Sequence, residues 1–269
     1  MLKKILLTLD GSENAEKALP WAAQFAARER AQVVLFRAVP PNPDPHLRSR
    51  EREEAREYLL RMEKELNYAG VATKVLIRRG NPAREIVDAA LDQGCDLIFI
   101  ATRGGSTVKR WIMGGVTEQV MRMSRVPVLP VWSHMAKPRH VRRIIVPLDG
   151  SKRAESILRW SIRLAHLLRS KLVFLHVRPE KGWNPGLCDD LTRRMTRMSL
   201  SLCKQGIRSE FKLQHGDAAE RILIFADAND LILTTTHGYG GMKRWILGSV
   251  AEKLVHAASV PVLVYKTTA

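Results

Sequence analysis

An α/β fold of two tandem, doubly wound, five-stranded parallel-sheet domains is predicted by three features of this 269-residue sequence. A long stretch of the first half recurs in the second. Within each half, short apolar runs alternate with longer amphipathic segments. Each half also opens on an apolar run that ends in Asp-Gly-Ser. Strands alternating with helices give a parallel sheet covered on both faces, and a length near 270 residues suits two domains.

The repeat is explicit in the residues. Lys4-Ile-Leu-Leu-Thr-Leu-Asp-Gly-Ser12 aligns with Arg143-Ile-Ile-Val-Pro-Leu-Asp-Gly-Ser151. Lys109-Arg-Trp-Ile-Met-Gly-Gly-Val116 aligns with Lys243-Arg-Trp-Ile-Leu-Gly-Ser-Val250, and Val126-Pro-Val-Leu129 with Val260-Pro-Val-Leu263. A repeat this long is a whole domain and not a solenoid unit. The short, polar, basic segment from His134 to Arg142 reads as the linker, leaving domains at 1–134 and 141–269.

The elements of the first copy follow in order, and the second copy repeats them. Ile5–Leu9 is a short apolar run, as expected of a strand buried on both faces. Ser12 caps the next helix through its hydroxyl. That helix is expected to run to about Arg30, with Ala18, Leu19, Ala22, Ala23 and Ala26 as its apolar stripe. Val33–Val39 is the second strand, and the Pro-rich stretch Pro40–Pro45 is a loop. A charged helix covers about Leu47 to Ala69, with Leu59, Met62 and Leu66 turned inward. Val71–Ile77 is strand three, Pro82–Leu91 a helix opened by proline, and Asp96–Ala101 strand four. Gly115–Met123 is a helix and Val128–Val131 strand five. Right-handed crossovers leave a crevice where the strand order reverses, and ligands of such sheets sit there, outside the carboxyl ends of the strands.

Composition narrows the function. Apolar residues make up 45% and charged residues 26%, the mix of an ordinary globular protein. No apolar run reaches the ~18 residues of a membrane span. Asp10 interrupts the first apolar stretch too early for a signal-peptide core, so the chain is read as cytoplasmic. Cys95, Cys188 and Cys203 fit no CxxC or zinc spacing and read as free thiols. The net charge of +17 is uneven: residues 1–135 hold 21 Lys/Arg against 16 Asp/Glu, and residues 136–269 hold 23 against 11. Such charge attracts polyanions, but the basic residues are scattered along helices, which serves solubility equally well.

Three features fall at carboxyl ends of strands. Asp10 and Asp149 follow strand one of each copy, where a carboxylate accepts hydrogen bonds from ribose hydroxyls, binds a metal, or satisfies its own turn. The loops after strand four are rich in glycine. They read Thr234-Thr-Thr-His-Gly-Tyr-Gly-Gly-Met-Lys-Arg-Trp-Ile-Leu-Gly-Ser249 and Ala101-Thr-Arg-Gly-Gly-Ser-Thr-Val-Lys-Arg-Trp-Ile-Met-Gly-Gly115. Glycine lets the backbone approach a phosphate, and Gly248-Ser249 opens a helix whose free N–H groups and dipole favour the same anion. Lys243 and Arg244 add charge. The third feature is the end of strand two, around Ala38 and Val177, whose backbone groups are candidates to pair with an adenine edge, a role that the residues alone do not show.

With these residues both copies resemble the universal stress protein family over nearly their full length. ATP-binding members of that family carry Gly-x-x-Gly, nine residues, then Gly-Ser or Gly-Thr, with an Asp after strand one. The second copy matches with Gly238, Gly248 and Ser249, but Thr235 stands where the first glycine belongs. The first matches with Gly104 and Gly114, but has Ala101 for the first glycine and Gly115 for the hydroxyl residue. Thr8 also replaces the proline found at Pro147. Losing the hydroxyl at 115 removes one phosphate donor, a net effect of about 1 kcal/mol.

The resemblance implies a Rossmann-like, adenine nucleotide α-hydrolase-like fold of strand order 3-2-1-4-5. It implies ATP as ligand, with or without Mg2+. The contacts would come from Pro147, Asp149, Val177, Thr235, Gly238, Gly248, Ser249 and Val250 in the second copy. In the first they would come from Asp10, Ala38, Gly104, Gly114, Gly115 and Val116. The better-preserved loop makes the second copy the stronger site.

Nothing in the chain announces an enzyme. There is no Gly-x-x-x-x-Gly-Lys-Ser/Thr loop. His237 precedes the glycine loop, but Arg103 takes its place in the first copy. The resemblance implies at most slow ATP hydrolysis. Single-copy members commonly dimerise through their last strands, so a tandem chain is expected to make that contact internally, between Val126–Trp132 and Val260–Tyr265, with a further homodimer open. The expected role is a stress-linked nucleotide sensor or switch. An adaptor with degenerate sites, a weak ATPase and a polyanion binder stay as alternatives.

Overall fold

The computed structural model describes residues 2–102, 115–133, 135, 138, 140–151, 156–180, 185–236 and 247–266. The chain divides into two compact units, 1–138 and 139–269.

In unit 1 the elements are β1 (Lys4–Thr8), α1 (Glu13–Glu16), α2 (Leu19–Glu29), β2 (Gln32–Val39), α3 (Pro45–Tyr68), β3 (Thr73–Arg79), α4 (Pro82–Asp92), β4 (Leu97–Thr102), α5 (Gly115–Met123) and β5 (Val128–Trp132). Its strands are parallel, in the order β3-β2-β1-β4-β5. In unit 2 they are β6 (Arg143–Pro147), α6 (Leu158–Leu168), β7 (Lys171–Arg178), α7 (Pro185–Lys204), β8 (Ser209–His215), α8 (Ala218–Phe225), β9 (Asp230–Thr235), α9 (Ser249–Ala257) and β10 (Val262–Tyr265). The order within this unit is β8-β7-β6-β9-β10, again parallel. The doubly wound parallel fold is therefore as expected, with strand order 3-2-1-4-5 in each unit.

The central strands β1 and β6 are apolar and buried through their middles. Ile5, Leu6 and Leu7 in one unit, and Ile144, Ile145 and Val146 in the other, are fully buried. Phe25 of α2 packs its ring edge-on against Phe99 of β4 at 5.3 Å, closing one layer of the unit 1 core. Among the described residues no helix is long and apolar enough to cross a membrane.

Several boundaries differ from the sequence expectation by a residue or two, and three of the differences have a visible cause. The first helix does not run unbroken to Arg30; it divides into α1 and α2 around Lys17 and Ala18. Pro20, near the start of α2, has no N–H with which to continue the ladder across the break. Strand three begins and ends two residues later than expected, at Thr73 and Arg79. Val71 is held in the turn after α3, its N–H donating to the Leu66 carbonyl at 3.0 Å. At the far end Arg79 is tied down by Pro40, Arg48 and Glu51. Finally, strand five runs one residue past the expected Val131, Trp132 pairing with Thr102, and Pro130 stays inside it as expected, opposite Ile100.

Candidate functional site

Each sheet reverses its winding once, between β1 and β4 in unit 1 and between β6 and β9 in unit 2. The crevice at the carboxyl end of that junction is where ligands of such sheets bind. Three structural pieces meet around it in each unit.

The first is the turn after the central strand. Asp10 Oδ1 accepts hydrogen bonds from the Ser12 N–H at 3.0 Å and the Ser12 hydroxyl at 2.6 Å. Asp149 does the same with Ser151, at 2.9 and 2.6 Å. The glycine between them has a left-handed φ of +90° at Gly11 and +84° at Gly150, a conformation that a side chain resists. Ser12 is also the expected cap, its hydroxyl accepting from the Ala15 N–H at 3.2 Å. The turns are pinned to the neighbouring strand by Leu9 N–H to Phe36 at 2.8 Å and Leu148 N–H to Leu175 at 2.9 Å. Both carboxylates are thus oriented by short local bonds. Pro147, the last residue of β6, pairs with Leu175 and leads into the unit 2 turn.

The second piece is the end of the next strand, where the two units part company. Ala38 and Val177 hold equivalent, half-exposed positions. The residue before each is different. In unit 2 it is His176, buried, whose Nδ1–H donates to the Leu148 carbonyl at 2.7 Å, the only sense a carbonyl acceptor allows. In unit 1 it is Arg37, whose guanidinium lies over the Tyr58 ring at 5.2 Å and against the Gly11 backbone. Arg61 approaches the same ring at 5.7 Å. Burial, reinforced by the Glu16 and Asp10 carboxylates, pushes the Tyr58 phenol well above its ordinary value, while Arg37 pulls the other way.

The third piece is the helix after strand four. Thr235, the last residue of β9, is buried and pairs with Tyr265. The following carbonyl, of Thr236, accepts the Gly248 N–H at 2.6 Å, which fastens the start of α9 to the strand end. Gly248 is the N-cap of α9 and supplies no side-chain acceptor. Ser249 and Val250 occupy the first turn, whose N–H groups have no partner inside the helix. The contrast with other helices is direct. Asn81 caps α4 and Asp217 caps α8, accepting from Arg84 and Glu220 at 3.2 and 3.0 Å. In unit 1 the carbonyl equivalent to Thr236, that of Thr102, accepts the Asn14 side-chain amide at 2.8 Å. Gly115 and Val116 open α5, with Val116 exposed. Behind Ala101, its carbonyl accepts the Thr117 hydroxyl at 3.4 Å.

Gly104, Gly114 and Gly238 lie outside the described residues, as do Arg103, Lys109, Arg110, His237, Lys243 and Arg244. Asn14, Arg37, Tyr58 and His176 were not singled out from sequence. Arg37 carried a signal, as the one charged residue in the otherwise apolar run Val33–Val39. The others acquire their roles only through contacts distant in sequence.

The profile of the universal stress protein family matches twice, over residues 1–131 and 140–266. The chain belongs to the universal stress protein family. A family member of Methanocaldococcus jannaschii is 30% identical over 154 residues, spanning 49% of this chain and 95% of that protein. A tandem-length member of Mycolicibacterium smegmatis is 22% identical over 285 residues, covering 97% of this chain and 96% of its own. The crystal structure of a universal stress protein from Archaeoglobus fulgidus superposes with a TM-score of 0.81 at 26% identity, covering 98% of each chain. Two universal stress protein domains in one chain thus account for the repeat.

Proposed function

We propose that this two-domain universal stress protein binds an adenine nucleotide and acts as a sensor or switch, with ATP held principally in unit 2. The observation that carries the proposal is the start of α9. Gly248 gives it no side-chain cap, and the Thr236 carbonyl fixes it at the mouth of the β6–β9 crevice. First-turn N–H groups and the helix dipole there favour a phosphate, and Ser249 adds a hydroxyl donor. Asp149 stands across the same crevice, its carboxylate oriented by Ser151 for a ribose hydroxyl. Val177 offers backbone groups for the base. Thr235 closes the set at the end of β9, and Gly238 is carried over from the family's motif. In unit 1, Asn14 occupies the equivalent strand-end carbonyl and Gly115 has no hydroxyl, which supports unit 2 as the stronger site. Mg2+, where it accompanies ATP, belongs to the phosphates.

Calorimetric titration with ATP tests the assignment. Gly248→Val places a branched side chain at the helix start and is expected to weaken binding at least ten-fold. Ser249→Ala, which removes one hydroxyl, is expected to weaken it about five-fold, from ~1 kcal/mol per hydrogen bond. Unchanged affinity in Gly248→Val overturns the site.

A further inference from the structure

The two units place positive charge at opposite ends of their crevices. Unit 2 keeps Ser249 and the uncapped helix start, and faces the base end with a buried histidine committed to the Leu148 carbonyl. Unit 1 has Gly115 at the helix start and Asn14 on the strand-end carbonyl, but sets Arg37 beside the carboxylate-bearing turn. Arg37 is half-buried, and among the described residues its guanidinium has no hydrogen-bond acceptor and no ion pair; its contacts are the Tyr58 ring and the Gly11 backbone. A stacked guanidinium is held in one orientation with its N–H fork unspent, the arrangement suited to a phosphate. It projects from the end of the second strand next to Asp10, the carboxylate read as facing ribose. In doubly wound sheets an arginine near that position accepts a phosphate esterified to the ribose. The opposing charges are the carboxylates of Asp10, committed in part to Ser12, and of Glu16, both near the Tyr58 hydroxyl.

We infer that unit 1 is a second site of different selectivity, taking adenine nucleotides that carry an additional phosphate on the ribose, with Arg37 as the residue that recognises it. This rests on the nucleotide reading of the fold but not on the assignment of ATP to unit 2. The test compares AMP with adenosine 2′,5′-bisphosphate and adenosine 3′,5′-bisphosphate, by calorimetry on the full-length chain. At least one bisphosphate is expected to bind about ten-fold more tightly than AMP, the effect of one charge-assisted hydrogen bond. Arg37→Met, which keeps the aliphatic stem over Tyr58, is expected to erase that preference while leaving the melting temperature close to wild type. Arg37→Lys is expected to restore part of it. The preference is expected to survive in Gly248→Val, where ATP binding is expected to be weakened. Equal affinity for AMP and both bisphosphates overturns the inference, and so does a preference that persists in Arg37→Met. Failure of the unit 2 assignment shows separately, as undiminished ATP binding in Gly248→Val.

Discussion

Replacing Asp230 with alanine should destabilise unit 2 by about 3 kcal/mol. Asp230 is the first residue of β9 and only 2% exposed. Its carboxylate accepts from Arg143 Nε at 2.8 Å, from Arg143 Nη2 at 2.5 Å and from the Asp227 N–H at 2.7 Å. The fork ties the first residue of β6 to the first residue of β9, the two strands that flank the crevice. Asp230 and its hydrogen bonds also hold the Arg143 guanidinium more firmly protonated than usual. Removing one partner of a buried pair costs about 3–5 kcal/mol. The Arg143 side chain, however, is 30% exposed and keeps the Phe225 carbonyl and ring, so water and these contacts offset part of the loss. That places the expected cost at the lower end. For a unit of this size, about 3 kcal/mol lowers the melting temperature by roughly 10 °C.

The assay is scanning calorimetry of the full chain, with Asp96→Ala as the internal comparison. Asp96 is the unit 1 counterpart, and its carboxylate accepts backbone N–H groups of Lys3 and Lys4 at 2.7 and 3.2 Å, without an arginine fork in either bond. Its loss should cost about 1.5 kcal/mol, the lower end for hydrogen bonds to a charged group. An Asp230→Ala transition within 2 °C of wild type, or one shifted no more than that of Asp96→Ala, refutes the reasoning.

Two further outcomes follow from single groups. Asp217 caps α8, and the Glu220 N–H, aided by the Lys253 charge, holds its carboxyl below the usual range. A depressed native pKa means stability that is full above the unfolded value and lost as pH falls through the folded one. Asp217→Ala should therefore cost about 1 kcal/mol near pH 7 in urea unfolding, with the gap closing below pH 4; a gap unchanged at pH 2.5 contradicts the cap. Burial pushes the Cys95 thiol up to about 11, whereas Cys203 is exposed. With Cys188 replaced by serine, a disulfide reagent at pH 8 should give a fast phase that Cys203→Ser removes, and should reach Cys95 only on unfolding. Rapid labelling of Cys95 in the folded chain would show that its burial is not maintained.

What the sequence revealed and what it hid divide along physical lines. The central strands were plain, because a strand buried on both faces must be apolar throughout, and Ile5–Leu7 and Ile144–Val146 are. The turns were plain too: Asp-Gly-Ser encodes its own left-handed glycine and its own hydrogen bonds, within three residues. The break between α1 and α2 was hidden because Ala18, Leu19 and Ala22 continue the apolar stripe across it. Only the missing N–H of Pro20 pointed to a break. The end of α2 near Arg30 was read correctly, although Arg30 and Arg169, which close α2 and α6, take left-handed φ values of +53° and +52° in place of the glycine that usually stops a helix. At the candidate site the legible parts were those carried by short motifs. Asn14 reaching Thr102, and Arg37 stacking on Tyr58, join residues 88 and 21 positions apart. No periodicity encodes such pairs.

The duplication has a consequence for how the two crevices can differ. In a homodimer of single-domain chains, symmetry imposes every substitution on both halves at once. An arginine suited to one ligand then appears in both crevices, and a hydroxyl lost from one is lost from both. Covalent fusion lifts that restriction. Arg37 and His176 occupy one place in the fold yet are separate positions in one chain, so each can be changed while the other is held. The pairing also arrives at fixed one-to-one stoichiometry, whatever the cellular concentration, with no need to sort unlike subunits from like ones.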